Sequence, residues 1–408
     1  MKYREYQEEI IDKGADILRR SGFVYLAMEV RTGKTLTSLG ISEKMKVKNV
    51  LFVTKKKAIS SIEKDYSLLD FNFDITVINY ESLHKVEGQY DMVILDEAHC
   101  MGAFPKPSKR AKQVRTLIHN NNPLVILLSG TPTPESYSQM YHQVYSLRTN
   151  PFSEYINFYK FCHKYVNVTE KMINGLRIRD YSKGSKAILD QMKPYTLAYS
   201  QKEAGFKTTT NEKVLYVEMH KTTYNLAKRL QKTLVIEGRQ EAILADTPVK
   251  LMMKLHQIYS GTVKFESGKS QILDNSKGRF ICDKFKGTKI GIFYKFKEEL
   301  NILKQVYGDG LTTELDVFET TDKNIALQIV SGREGISLRQ AKYLVYFNID
   351  FSATSYWQSK DRMTTKNRLE NDIYWIFSKG GIEDKIYAAV KKKKDYTLSH
   401  FKKDLLNL

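Results

Sequence analysis

The chain has 408 residues, 42% of them hydrophobic, and its 65 Lys and Arg against 46 Asp and Glu give a net charge of +19. That length suits two or three ordinary domains, and no run of about 18 apolar residues is present to span a membrane. The basic excess makes a polyanion the expected partner. Three scattered cysteines, Cys100, Cys162 and Cys282, offer neither a zinc spacing nor a disulfide framework, which suits a reducing, cytoplasmic compartment.

The N-terminus is charged, reads as a helix start and carries no signal-peptide core. Short β-branched runs then alternate with helical stretches: Phe23–Met28, Asn49–Thr54, Asp74–Ile78, Asp91–Leu95 and Leu124–Leu128. Apolar runs between helices predict a parallel sheet covered on both faces, a doubly wound α/β lobe over residues 1–148. Residues 149–204 break the rhythm and read as a small helical and β-hairpin insertion. Pro151–Phe161 has an amphipathic helical pattern. Asn174-Gly175 between Val168–Ile173 and Leu176–Tyr181 signals a hairpin, because both turn residues need positive φ. A helix is expected near Ile188–Met192. A second α/β lobe follows over 205–408, with strands at Val214–Val217, Lys289–Tyr294, Ile325–Val330, Tyr343–Phe347 and Ile373–Phe377. Lys391–Lys394 is expected on the exposed end of a helix.

Chemistry first shows at Arg31–Thr35. Thr32, Gly33, Lys34 and Thr35 follow a strand and open a helix, the context of a phosphate loop. Lys34 would reach the β- and γ-phosphates of ATP, and the Thr35 hydroxyl would ligate Mg2+. The full pattern wants glycine at position 28, where Met28 stands. A second signal ends the strand at Leu95: Asp96 and Glu97, two carboxylates, one to hold Mg2+ and one to orient and deprotonate water.

Asp96–His99 resembles the DEAH box of superfamily-two helicases, and further segments fall in that family's order. Tyr3–Gln7 resembles the adenine-reading motif, which implies contacts from Arg4 and Gln7. Val53–Ala58 resembles motif Ia, which implies that Lys55, Lys56 and Lys57 touch the nucleic-acid backbone. Val77–Leu83 resembles the motif that precedes the DEAH strand. Ser129–Pro134 resembles motif III, which implies a coupling role for Ser129 and Thr131 together with His99. Ser331–Leu338 resembles motif V, which implies phosphate contacts from Ser331, Gly332 and Arg333. Gln358–Arg362 resembles motif VI, which implies that Gln358 couples the sites and that Arg362 reaches across a cleft to the γ-phosphate.

The segments 161–197, Leu251–Gly261 and Gly380–Ile386 are similar to the Swi/Snf branch. The resemblance implies two tandem RecA-like lobes, a nucleic-acid-dependent ATPase, and a monomer that translocates on duplex or branched DNA. The short insertions look most like bacteriophage or mobile-element members. Three departures stand out: Arg31 replaces a loop glycine, Thr365 replaces a second motif VI arginine (Arg368 lies three residues on), and 301–324 lacks an arginine-bearing motif. An RNA motor and a weakly hydrolysing clamp or scaffold are the alternative readings.

Overall fold

The computed structural model describes residues 2–173, 176–207, 209–238, 241–332, 336–364 and 369–392. The chain divides into two compact units, 1–206 and 207–408.

The first unit runs α1 (Glu5–Ser21), β1 (Phe23–Met28), α2 (Lys34–Lys44), β2 (Asn49–Thr54), α3 (Ile59–Ser67), β3 (Asp74–Asn79), β4 (Met92–Leu95), α4 (Lys109–Asn121), β5 (Leu124–Leu128), α5 (Met140–Val144), α6 (Phe158–Tyr165), β6 (Thr169–Ile173), β7 (Leu176–Asp180), α7 (Ala187–Met192) and β8 (Thr196–Tyr199). Its main sheet has the order β3-β2-β4-β5-β1-β8, and every pairing in it is parallel. Successive strand residues point to opposite faces. Tyr25, Leu51, Val53, Val93, Leu95, Val125 and Leu127 enter one core cluster, while Val24, Leu26, Val50, Phe52, Ile94, Ile126 and Leu128 enter another. A sheet buried on both faces has no polar alternation, which explains the continuous apolar runs.

Two expectations for this unit change. Only Phe158–Tyr165 of the region around the predicted 151–161 helix is an α-helix, because Asn157 caps it by accepting a bond from the Lys160 N–H at 3.0 Å. Thr196–Tyr199, within the segment read as an insertion, is the edge strand β8, paired in register with Tyr25–Met28. The β6–β7 pair is antiparallel as expected, with Ile173 opposite Leu176; its Asn174-Gly175 turn lies outside the described residues.

The second unit contains β9 (Thr209–Val217), α8 (Lys221–Thr233), β10 (Val235–Glu237), β11 (Ala242–Leu244), α9 (Pro248–Tyr259), β12 (Thr262–Lys264), β13 (Ser270–Ile272), α10 (Ser276–Lys284), β14 (Ile290–Tyr294), α11 (Lys297–Tyr307), β15 (Leu311–Thr312), α12 (Leu315–Thr320), β16 (Asn324–Gln328), α13 (Ile329–Gly332), β17 (Tyr343–Tyr346), α14 (Ala353–Lys360), β18 (Glu370–Ser378) and α15 (Glu383–Lys391). Its main sheet, β15-β16-β14-β17-β18-β9, is again parallel throughout. The run predicted as strand to Val330 turns helical at Ile329. The two six-stranded parallel sheets, each covered by helices, are the tandem RecA-like architecture expected. Lys391 and Lys392 are exposed at the end of α15, and Lys393 and Lys394 lie outside the described residues.

Candidate active site

In the first unit, the expected nucleotide residues gather at the carboxyl ends of β1, β4 and β5, where an open parallel sheet binds ligands. The loop after β1 leads into α2 through Gly33, whose φ of +85° is left-handed. A Cβ built there would meet Gln7 Nε2 at 2.5 Å. Arg31, where the resemblance implies glycine, has a φ of +64°. It therefore holds the glycine-like backbone despite its side chain, at a cost of about 1–2 kcal/mol.

α1 braces this loop. Gln7 is buried; its Nε2 donates to Gly33 O at 3.4 Å and Thr37 Oγ1 at 3.3 Å, while its Oε1 accepts the Arg4 N–H at 3.1 Å. The Arg4 side chain donates to Tyr6 OH at 3.0 Å, and Tyr6 OH donates to Thr32 O at 3.0 Å. Tyr6 stacks on Tyr199 of β8, centroids 4.4 Å apart. Thr32 is buried, its hydroxyl turned back onto Glu29 O at 2.7 Å. Thr35 lies half-buried in the first turn of α2. Lys34 begins α2, and its Nζ lies 3.4 Å from where a Cβ on Gly130 would stand. The ammonium thus lies over the loop that follows β5.

Asp96 ends β4. Its Oδ2 accepts the Thr54 hydroxyl at 2.7 Å, and its carbonyl accepts the Tyr80 hydroxyl at 2.6 Å. Burial and the neighbouring Glu97 carboxylate push the Asp96 pKa up to about 6, against the pull of Lys34 and the Thr54 bond. Glu97 has a φ of +50°, a left-handed kink just past the strand. His99 Nδ1 lies 3.2 Å from Glu97 Oε2 and 3.0 Å from Ser129 Oγ. Ser129 Oγ also accepts the Thr131 N–H at 3.1 Å. Lys55, Lys56 and Lys57 follow β2, with Lys56 and Lys57 exposed.

These residues fit a nucleoside triphosphate with a divalent cation. The N-terminus of an eleven-residue helix faces the loop, which attracts phosphate. A buried carboxylate with a raised pKa is stabilised by a cation. Among the described residues no group of three His, Cys, Asp or Glu could hold a metal by itself. Mg2+ commonly takes one or two protein ligands and completes its shell from phosphates and water.

In the second unit, Gln358 lies in α14 and Arg362 just beyond it, both buried. The Arg362 guanidinium donates to Gln358 O at 3.0 Å and to Ile336 O at 3.3 Å, so it ties motif VI to the end of motif V. α14 is itself anchored to β9: the Glu212 carboxylate accepts from Tyr356 OH at 2.8 Å, Trp375 Nε1 at 2.9 Å and Lys360 Nζ at 2.5 Å. Ser331 and Gly332 end the short helix α13. Arg333, Thr365 and Arg368 lie outside the described residues.

Sequence reasoning missed Thr54, Tyr80, Tyr6, Tyr199 and the bracket in which Glu29 Oε2 accepts the Gln201 N–H at 2.7 Å. Each is an ordinary residue made specific by a partner remote in sequence, so no local signal marks it.

A search of the curated proteins returns no match. Among solved structures, the Sulfolobus solfataricus SWI2/SNF2 ATPase core in complex with dsDNA aligns with a TM-score of 0.43 at 16% identity, covering 100% of this chain and 93% of that one. The Sulfolobus solfataricus SWI2/SNF2 ATPase core domain aligns with a TM-score of 0.40 at 16% identity, covering 99% and 90%. The model of the SNF2-related domain matches residues 26–266, more than half of the chain. The chain belongs to the SNF2-related domain family, and with it to the nucleic-acid-dependent ATPases.

Proposed function

We propose that the protein is an ATP-driven DNA translocase that moves on or remodels duplex or branched DNA, working as a monomer in the cytoplasm, that of a bacterial host if it is phage-encoded. In this reading residues 1–148 with the edge strand β8 bind the nucleotide, the rest of 149–204 forms the inserted segment and 205–408 form the second lobe. The observation that carries the proposal is the cluster of Lys34, Asp96, Glu97, His99 and Ser129 at one sheet edge. Lys34 binds the β- and γ-phosphates, Thr35 and Asp96 hold Mg2+, and Glu97 takes the proton of the attacking water. Mg2+, when bound, neutralises charge on the phosphates. Gln7 and Arg4 serve the base, directly or through the loop they brace. Arg362 is the second unit's candidate for the γ-phosphate. Lys55–Lys57, Ser331, Gly332 and Arg333 grip the phosphate backbone without reading sequence.

Steady-state hydrolysis tests this with no polymer, single-stranded DNA, duplex DNA, a fork and RNA. Duplex or forked DNA is expected to stimulate most, and Glu97→Gln to lower the stimulated rate by about 100-fold or more. Stimulation by RNA alone would sink the DNA assignment. The engagement of Arg362 with carbonyls of its own unit favours a weakly hydrolysing clamp as the second reading. DNA binding without stimulated turnover in the same series would select it.

A further inference from the structure

A line of buried polar groups connects the DEAH segment to the foot of the β6–β7 hairpin. With its proton on Nδ1, His99 can donate to Ser129 Oγ, 3.0 Å away. Ser129 follows β5, whose Leu127 is the register partner of Tyr25 on β1. Two residues beyond Leu127, Ser129 is the diagonal same-face neighbour of Tyr25, and both side chains are fully buried. Tyr25 is fully buried and donates to Gln143 Oε1 at 2.7 Å. Gln143, also fully buried, donates from Nε2 to Pro132 O at 2.7 Å and Gln139 O at 3.2 Å.

The line then passes through the loop. Gln139 Oε1 accepts the Glu135 and Ser136 N–H groups. Ser136 Oγ donates to Ser182 O at 2.6 Å and Ser138 Oγ to Tyr181 O at 2.7 Å. A Cβ on Gly184 would stand 2.6 Å from Ser138 N, so the hairpin foot has no slack against this loop.

The hairpin's outer face has the chemistry of a polyanion sensor. Glu170 opposes Arg179 and Met172 opposes Arg177, so these four side chains share one face. Met172 is 65% exposed, and both arginine side chains are exposed. The two guanidiniums share the single Glu170 carboxylate, at 3.8 and 2.9 Å, which leaves the face positive. Between Ile156 and Lys186 the sequence holds seven Lys and Arg against only Glu170 and Asp180.

We propose that the β6–β7 hairpin is a nucleic-acid-responsive element and that Tyr25 and Gln143 are positioning residues through which its seating sets His99 and Glu97. This rests on the ATPase reading for its consequence, but the mechanical link does not. A buried polar chain carries such coupling when its members shift together between two discrete arrangements, because a member left unpaired at low dielectric is costly.

Two measurements test it. In the hydrolysis assay, Tyr25→Phe is expected to lower the DNA-stimulated kcat about tenfold while the half-stimulating DNA concentration stays put. The Arg177→Ala/Arg179→Ala pair should instead raise that concentration. Gln143→Leu should copy Tyr25→Phe, and combining the two should add little. In amide hydrogen exchange, which needs no turnover, Tyr25→Phe and His99→Ala should each raise exchange in peptides covering 176–186, with α2 and β2 unaffected.

Unchanged exchange at the hairpin foot in both variants would overturn the link. So would a Tyr25→Phe protein stimulated like the parent. If the unaltered chain shows no stimulated hydrolysis but the exchange effect is present, the ATPase reading fails and the link stands.

Discussion

Asp96 illustrates how one carboxylate can serve a site at the expense of the fold that holds it. It has one side-chain donor, Thr54, and burial beside Glu97 raises its pKa from 3.8 to about 6. The folded chain therefore binds that proton more tightly than the unfolded chain. The stability it contributes is fully present below about pH 3.8 and is lost as pH rises through about 6. Removing the charge should help the nucleotide-free fold, so Asp96→Asn is expected to raise the melting temperature at pH 7.5 and to leave it nearly unchanged at pH 4. A calorimetric pair at those two values checks this. The same variant should lose Mg2+-dependent hydrolysis.

Gly33 is the second test at this scale. A left-handed φ costs any other residue about 1–2 kcal/mol, and a Cβ there would collide with Gln7 Nε2. Gly33→Ala is expected to weaken binding of a fluorescent ATP analogue by at least about tenfold. Affinity equal to that of the parent would show that the loop does not need the conformation seen.

At the scale of elements, the sheets hold the site residues and the helices are locked to them by buried polar ties. In the second unit Lys277 of α10 and Glu383 of α15 pair at 2.7 Å, both side chains fully buried. Glu383 Oε1 also accepts the Ser378 N–H at 3.3 Å, and Lys277 donates to Phe347 O at 3.5 Å. Breaking such a pair strands a charge. Lys277→Met is expected to cost about 3–5 kcal/mol in urea unfolding, and Lys277→Met with Glu383→Leu to recover most of it. If the double variant is no better than the single, the pair is not the reason for the loss.

Element existence was largely legible in the sequence because parallel strands buried on both faces leave continuous apolar runs. Element ends were less so. The helix at Phe158 starts where Asn157 can cap it, and the run after β16 becomes helical at Ile329. The first is set by a local cap that the sequence carries, and the second depends on packing that a local pattern does not encode.

For the whole molecule, charge makes the broadest prediction. With +19 net and the candidate contacts at Lys55–Lys57, binding to DNA should be sequence-tolerant and should weaken steeply with salt. Lys56→Ala/Lys57→Ala should reduce the slope of log affinity against log salt by about 1–2. Fluorescence anisotropy across a salt series reads this, and an unaltered slope would remove those lysines from the interface. Among the described residues, no helix is long and apolar enough to cross a membrane.

The sequence by itself determined the two α/β lobes, the strand–loop–helix at Thr32–Thr35, and the paired carboxylates Asp96 and Glu97. Each of these is a local arrangement: a strand, a turn and a helix start written in consecutive residues. Tertiary structure alone decided what surrounds them. Thr54 and Tyr80 came to Asp96, Gln7 and Tyr6 to the loop before α2, and β8 to the edge of the first sheet. The Tyr25–Gln143 bond joins residues 118 positions apart. Such contacts arise only after strands from distant parts of the chain pair in register, because a hydrogen bond depends on position in space and not on spacing along the chain.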